Sequence, residues 1–212
     1  MPLQPTQPIK LIGISCLIVL LYGCGASAPV QPVEIQQTPT ESDTLATESP
    51  DGKPALAPAI QTAFNKGMQA INNKEYDKAI DIFFAMSRAY PELSGPYANL
   101  GMLLAAKKDY ANAEAALKQA LQLNPDNPEI YNHLGLLYRQ TGRFDEALQI
   151  YSQGLEHSPE NINLLRNTGI LLELYFNNST EALKHYQRYL ELQPDDKQVQ
   201  IWIADLNQRN TP

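Results

Sequence analysis

The side chains best suited to acid–base or metal chemistry are few and far apart in this chain. His133, His157 and His185 are widely separated in the sequence, and no Cys, His or Asp lies beside them at metal-ligand spacing. The adjacent pair Asp195–Asp196 is more typical of a solvated helix start than of an acid–base pair. Phosphate-binding loops, zinc-protease helices and nucleophile elbows are also missing from the sequence. It therefore predicts no catalytic residue, no bound metal and no cofactor.

The two cysteines, Cys16 and Cys24, lie near the start of the chain and outside any part that could fold into a disulfide framework. Residues 11–22, LIGISCLIVLLY, form an apolar run that follows Lys10 and precedes small residues. This order is typical of a secretory signal peptide. A transmembrane anchor is the weaker alternative, because crossing a bilayer as a helix takes about 20 apolar residues.

The sequence Leu-Tyr-Gly-Cys at residues 21–24 resembles the bacterial lipobox, although Tyr22 departs from the usual small or aliphatic residue. The resemblance implies a signal peptide over residues 1–23, cleavage after Gly23 and acylation of Cys24. Several acyl chains would hold the protein stably on a membrane. Gly25 resembles the default outer-membrane sorting signal of Gram-negative lipoproteins. We therefore expect a lipid anchor at Cys24 on the periplasmic face of the outer membrane.

Residues 24–57 are rich in Pro, Thr, Ser, Gln and Glu and poor in large apolar side chains. Such a composition predicts a disordered tether, which as a flexible coil would span about 30 Å. The net charge of the whole chain is −7. Lys107–Lys108 is its one adjacent basic pair, which is too little for a phosphate-binding stripe. We therefore expect no nucleic-acid partner and no small-molecule substrate.

Beyond residue 57 the sequence repeats itself with a regular period of about 34 residues. The repeat is marked by one glycine per unit, by an alanine at a fixed distance after it, and by a proline near the end of each unit. In the fourth unit the alanine and the proline come one residue late. The glycines are Gly67, Gly101, Gly135 and Gly169. Each unit is predicted to form a helix, a turn and a second helix, crossing closely where the glycine and alanine lie.

The third unit displays the pattern best. Tyr131, Leu134 and Tyr138 recur at helical spacing, and Gly142 ends the first helix where the chain must turn left-handed. Pro159 ends the second helix, because proline lacks an N–H and clashes with the preceding turn.

The spacing L-G-x-x-Y…A-x-x-x-Y…P resembles the tetratricopeptide repeat (TPR). The resemblance implies an all-α TPR α-solenoid over residues 58–209, with repeats at about 60–93, 94–127, 128–161 and 162–195. A capping helix at 195–208 would cover the open end of the stack with Val199, Trp202 and Leu206. The first repeat is degraded, as expected of a terminal repeat with one face in solvent. The inserted residue of the fourth repeat should alter slightly the angle between its two helices.

The resemblance also implies a concave groove lined by the first helix of each pair. Transferred position by position, its binding residues are Phe64, Met68, Ile71, Met102, Asn132, Leu136, Arg139, Arg166, Ile170 and Glu173. The groove would be apolar at its N-terminal end and polar at its C-terminal end, suited to a partner segment with an apolar anchor and a polar flank. The alternative is that some of these side chains only pack between neighbouring helices. The asparagines of the TPR carboxylate clamp are replaced here, which disfavours the binding of chaperone tails.

Together these features predict an adaptor lipoprotein of the cell envelope whose partners are other envelope proteins or peptides. Its layout of signal, lipobox and repeat stack is similar to that of the pilotin lipoproteins that assist secretin assembly in type IV pili. A scaffold for peptidoglycan enzymes, or for a Tol/Ton-like complex, is the alternative. An enzyme with an unrecognised site is a remote alternative.

Overall fold

In a computed structural model of the protein, residues 58–209 are described. They contain nine α-helices and no strand. The helices are α1 Pro58–Asn72, α2 Tyr76–Ala89, α3 Ser94–Ala106, α4 Tyr110–Leu123, α5 Pro128–Gln140, α6 Phe144–His157, α7 Ile162–Leu174, α8 Ser179–Leu192 and α9 Lys197–Arg209. The signal peptide, Cys24 and the tether lie outside the described residues. None of the helices within residues 58–209 has the length and apolar character needed to span a bilayer.

The helices form four antiparallel pairs followed by one single helix. Each helix packs against the next along the chain, and α3, α5 and α7 also contact one another in that order. The first helices of the second, third and fourth pairs therefore lie side by side, as in an α-solenoid. The all-α repeat fold expected from the regular period of the sequence is confirmed.

A residue in the left-handed backbone region stands at the same place in every hairpin turn. Lys74, Lys108 and Gly142 have φ values of 61°, 65° and 77°, and Asn177 takes the equivalent place with a φ of 50°. The backbone N–H that follows each of them returns to a carbonyl in the last turn of the preceding helix. In the fourth repeat this bond, from Asn178 to Leu172, encloses one residue more than the bond from Arg143 to Tyr138 in the third. The inserted residue therefore lies in the turn between α7 and α8.

The repeated glycines permit close helix crossings. A Cβ atom built on Gly135 would lie 2.1 Å from the ring of Tyr151, and one built on Gly169 would lie 2.4 Å from the ring of Tyr186. In the first two repeats the facing side chains are Phe83 and Leu117. Each pair is therefore closed by one large side chain of its second helix, which covers the backbone of the first.

The last helix, α9, covers the end of the stack. Val199 and Leu206 are fully buried against α8, and the ring of Trp202 lies 5.4 Å from that of Tyr186. Trp202 thus occupies the seam where the sequence predicts it.

Candidate protein-binding groove

The first helices of the pairs, α1, α3, α5 and α7, form the surface that we call the inner wall. Helix α5 packs against α3 on one side and against α7 on the other, which covers part of its surface. Most of the residues expected in the groove, from Phe64 to Glu173, are partly buried. Two of them, Ile71 and Asn132, are fully buried.

The N-terminal part of the inner wall is apolar. Phe64, Met68 and Met102 are partly exposed and rest on the core formed by α1 to α4. The ring of Phe64 meets that of Phe83 edge-on, with centroids 5.5 Å apart. Methionine side chains repack at low cost, so this end of the wall can adapt to different apolar side chains.

The assignment of Ile71 to the groove is wrong. Its side chain is 1% exposed and belongs to the core together with Phe83 and Leu103. Ile71 is buried because it packs, together with its neighbour Ala70, in the core that α1 shares with α2 and α3.

The assignment of Asn132 to an open groove is also wrong. It is 2% exposed, and its Oδ1 accepts a hydrogen bond of 2.6 Å from Nδ2 of Asn167 on the neighbouring inner helix. A buried amide pair of this kind satisfies both groups and fixes α5 against α7. Sequence reasoning missed Asn167, although an asparagine on the predicted buried side of a helix signals such a partner.

The two remaining apolar residues of the predicted groove, Ile170 and Leu136, differ in their surroundings. Ile170 packs against the core formed by α7, α8 and α9, as the packing alternative expects. Leu136 is only partly buried. It lies one turn from Arg139 on the same helix.

The charged residues of the inner wall differ in how far they are paired. Glu173 accepts hydrogen bonds from the Tyr186 hydroxyl at 3.1 Å and from Nη2 of Arg209 at 2.6 Å. Arg166 lies beside Tyr189 and Asp196, and its positive charge acts to lower the pKa values of both side chains. Arg139, by contrast, forms no ion pair within residues 58–209, and its Nη1 is buried without a hydrogen-bond partner.

The outer face holds a crevice of about 710 Å³ between α2 and α4, which sequence reasoning missed. Its α4 side is formed by Ala115 and Ala116, at positions where the third repeat has Gln149 and Ile150. At its rim Phe84 is 52% exposed, and the guanidinium of Arg88 lies 5.8 Å from the centre of that ring. The adjacent alanines in α4 are the feature of the sequence from which this crevice could have been predicted.

The next junction on the outer face, between α4 and α6, is filled instead. Arg143 pairs with Glu114 and Glu146, and its guanidinium stacks 4.2 Å from the centre of the Tyr138 ring. Tyr138 in turn donates a hydrogen bond of 3.1 Å to Glu114. Arg143, despite the cost of burial, holds the pKa of Glu114 at about 2.

The histidines do not form a site. Burial lowers the pKa values of His133 and His185, which favours neutral side chains. His157 lies 3.1 Å from Asp126 and stacks on Tyr131. Across the described part of the chain no group of His, Cys, Asp and Glu is arranged to hold a metal ion.

Comparison with known proteins supports the repeat assignment. Residues 104–166 match the tetratricopeptide repeat family. No curated protein is significantly similar to the chain in sequence.

Several solved structures share the fold. YrrB, described as a TPR protein with an unusual peptide-binding site, is 25% identical with a TM-score of 0.56, over 66% of this chain and 72% of its own. A thermophilic TPR protein of Thermus thermophilus is 20% identical with a TM-score of 0.61, over 69% and 80% of the two chains. For pilF of Pseudomonas aeruginosa the identity is 18% and the TM-score 0.65, over 71% of this chain and 68% of that one.

Proposed function

We propose that this tetratricopeptide repeat protein is a membrane-anchored adaptor that grips a segment of another envelope protein along its inner wall. The repeat fold supports a role in protein–protein interaction. The finer parts of the proposal are the site, the anchor and the class of partner.

The observation that carries the proposed site is the composition of the inner wall. Met68 and Met102 offer partly exposed apolar surface on α1 and α3, and Arg139 and Arg166 offer positive charge on α5 and α7. A helix or extended segment with an apolar anchor at one end and polar groups at the other would match this order. YrrB, with its peptide-binding site, is a protein of the same fold that takes a peptide.

The anchor and the class of partner rest on the sequence. The lipobox-like residues 21–24 support acylation of Cys24, and the layout resembles that of type IV pilus pilotins. We therefore favour a role in pilus or secretin assembly over a role as a scaffold for peptidoglycan enzymes or a Tol/Ton-like complex. The fold shared with pilF of Pseudomonas aeruginosa is compatible with it.

The site is tested with the double variant Met68→Asp/Met102→Asp of the full chain, by crosslinking and pull-down from native membranes. We expect partner capture to fall at least tenfold while the variant stays folded at the assay temperature, because both side chains are partly exposed. The matched control, Phe84→Asp/Ala115→Asp, adds the same charge at two exposed apolar residues of the outer helices α2 and α4. Unchanged capture by the first variant, or loss in the control alone, would refute the groove.

The anchor is tested by Cys24→Ser, which should abolish the incorporation of labelled palmitate into the protein. The identity of the captured protein then separates the two pathways. A secretin or pilus component supports the pilotin-like role, whereas murein hydrolases or Tol/Ton components support the scaffold.

A further inference from the structure

Two buried hydrogen-bond donors in the third repeat have no acceptor. The hydroxyl of Tyr151 and Nη1 of Arg139 are both inaccessible to solvent and make no hydrogen bond within the described chain. Burial raises the pKa of Tyr151, so its hydroxyl keeps its proton and remains a donor. Leaving such groups unsatisfied is costly, and polar atoms in this state need an explanation.

The fourth repeat and α9 together contain the same two kinds of donor with an acceptor between them. There the hydroxyl of Tyr186 donates to Glu173 at 3.1 Å, and the guanidinium of Arg209 donates to the other oxygen of the same carboxylate at 2.6 Å. Tyr186 and Tyr151 are equivalent residues, since each covers the repeat glycine of its own unit. In this chain, therefore, one carboxylate already accepts hydrogen bonds from both a tyrosine hydroxyl and a guanidinium.

The third repeat has Arg139 where the fourth has Glu173, because the two positions lie one repeat period apart. The substitution exchanges an acceptor for a donor beside the equivalent tyrosine. Arg139 lies near enough to Tyr151 for its positive charge to act on that hydroxyl, counter to the effect of burial. The pair therefore lacks one component, and that component is an anionic acceptor.

We propose that Arg139 and Tyr151 bind a carboxylate of the segment held on the inner wall. The inference rests on the proposed function for the source of the carboxylate, but its site is defined independently. A guanidinium suits a carboxylate because charge-assisted hydrogen bonds are short and strong. Leu136, one turn before Arg139 and partly exposed, gives the same segment an apolar contact beside the charge. The carboxylate belongs either to an acidic side chain or to a chain terminus.

The site is tested without the natural partner, using two small probes. N-acetyl-glutamate α-amide represents an acidic side chain, and N-acetyl-leucine represents a chain terminus. Each is titrated into the full chain in non-ionic detergent at constant ionic strength, while the arginine Nε–Hε signals are followed by NMR. We expect one arginine signal to shift saturably, and the probe that binds more tightly identifies the source of the carboxylate.

Variants assign the signal and provide the control. Arg139→Gln should remove the saturable shift, and Tyr151→Phe should weaken binding about tenfold, the effect of losing one hydrogen bond to a charged group. Arg88→Gln is the matched control, because Arg88 also forms no ion pair within residues 58–209 but is exposed on the outer face. Binding should be unchanged in that variant.

Absence of a saturable shift with both probes would overturn the proposal, and so would a shift that survives Arg139→Gln. A shift at Arg88 equal to that at Arg139 would show general ion pairing and would overturn it as well. These outcomes are separable from those of the groove experiment. Carboxylate binding with unimpaired capture by the Met68/Met102 variant refutes the groove alone, and the reverse result refutes the carboxylate site alone.

Discussion

Two tyrosines that fill the same place in successive repeats should differ in what their hydroxyls contribute to stability. Tyr186→Phe removes a hydrogen bond to Glu173, and we expect it to cost about 1–2 kcal/mol of unfolding free energy. Tyr151→Phe removes a buried hydroxyl that has no partner, and it should change stability by less than about 0.5 kcal/mol or increase it slightly.

Denaturant unfolding of the two variants beside the unchanged chain measures the difference directly. Equal losses in both variants would mean that Tyr151 has an acceptor in the unliganded protein, such as a bound water.

The Glu114–Arg143 pair gives a prediction about acid stability. Its carboxyl has a folded-state pKa of about 2, below the value of about 4.3 expected in the unfolded chain. The stabilisation is therefore fully present above about pH 4.3 and is lost as pH falls toward 2. We expect Glu114→Gln to cost about 1 kcal/mol at neutral pH, discounted for partial exposure.

Unfolding free energies measured between pH 6 and pH 2.5 check the sign. Glu114→Gln should fall less steeply with decreasing pH than the unchanged chain over this window, and parallel curves would contradict the pairing.

At the residue scale, the sequence predicts position in the repeat better than the surroundings of a side chain. Of the transferred groove positions, Met68, Met102 and Leu136 are partly exposed, whereas Ile71 and Asn132 are buried. Both failures depend on neighbours far away in the sequence. Ile71 fills a core next to Leu103, and Asn132 finds its amide partner, Asn167, on the next inner helix.

At the scale of helix pairs, the two kinds of glycine should respond differently to substitution. Gly135→Ala places a methyl group 2.1 Å from the Tyr151 ring, so α5 and α6 must separate, and we expect a loss of about 2 kcal/mol or more. Gly142→Asn should cost less than about 1 kcal/mol, because nothing lies within 4 Å of a Cβ there and Asn177 adopts the equivalent turn conformation.

Thermal and denaturant unfolding of the two single variants test this ranking. A larger loss for Gly142→Asn than for Gly135→Ala would show that the turn, rather than the helix crossing, limits the stability of the pair.

Helix pairs were predictable because their signals are local and repeated. Glycine, alanine and proline mark the crossing and the ends of the helices in every unit, and the inserted residue of the fourth unit also falls where the period breaks. The crevice between α2 and α4 was not predictable in this way. It arises from the small size of Ala115 and Ala116 relative to the gap that α2 leaves.

For the stack of described helices, nearest-neighbour packing makes stability unequal along the chain. Leu206→Ala removes a fully buried side chain of α9 and should cost about 2–5 kcal/mol locally. Because α9 packs against α8, the destabilisation should reach α7 and α8 first and leave α3 and α4 nearly unchanged.

Hydrogen exchange resolved by helix is the appropriate measurement. Protection should fall in α7, α8 and α9 of the variant, whereas a uniform loss across all repeats would indicate one cooperative unit.

The pairing of α1 mainly with α2 would have a mechanical consequence if the proposed anchor at Cys24 holds the N-terminal end of the chain. Tension entering the stack at Pro58 would act on the α1–α2 contact before any other, because no other helix of the described chain shares an extensive surface with α1. The hairpins would then separate one after another, beginning with α1 and α2, and would not all separate at once. Opening in this order would leave α5, which carries Arg139, packed against α7 until the first two hairpins had separated.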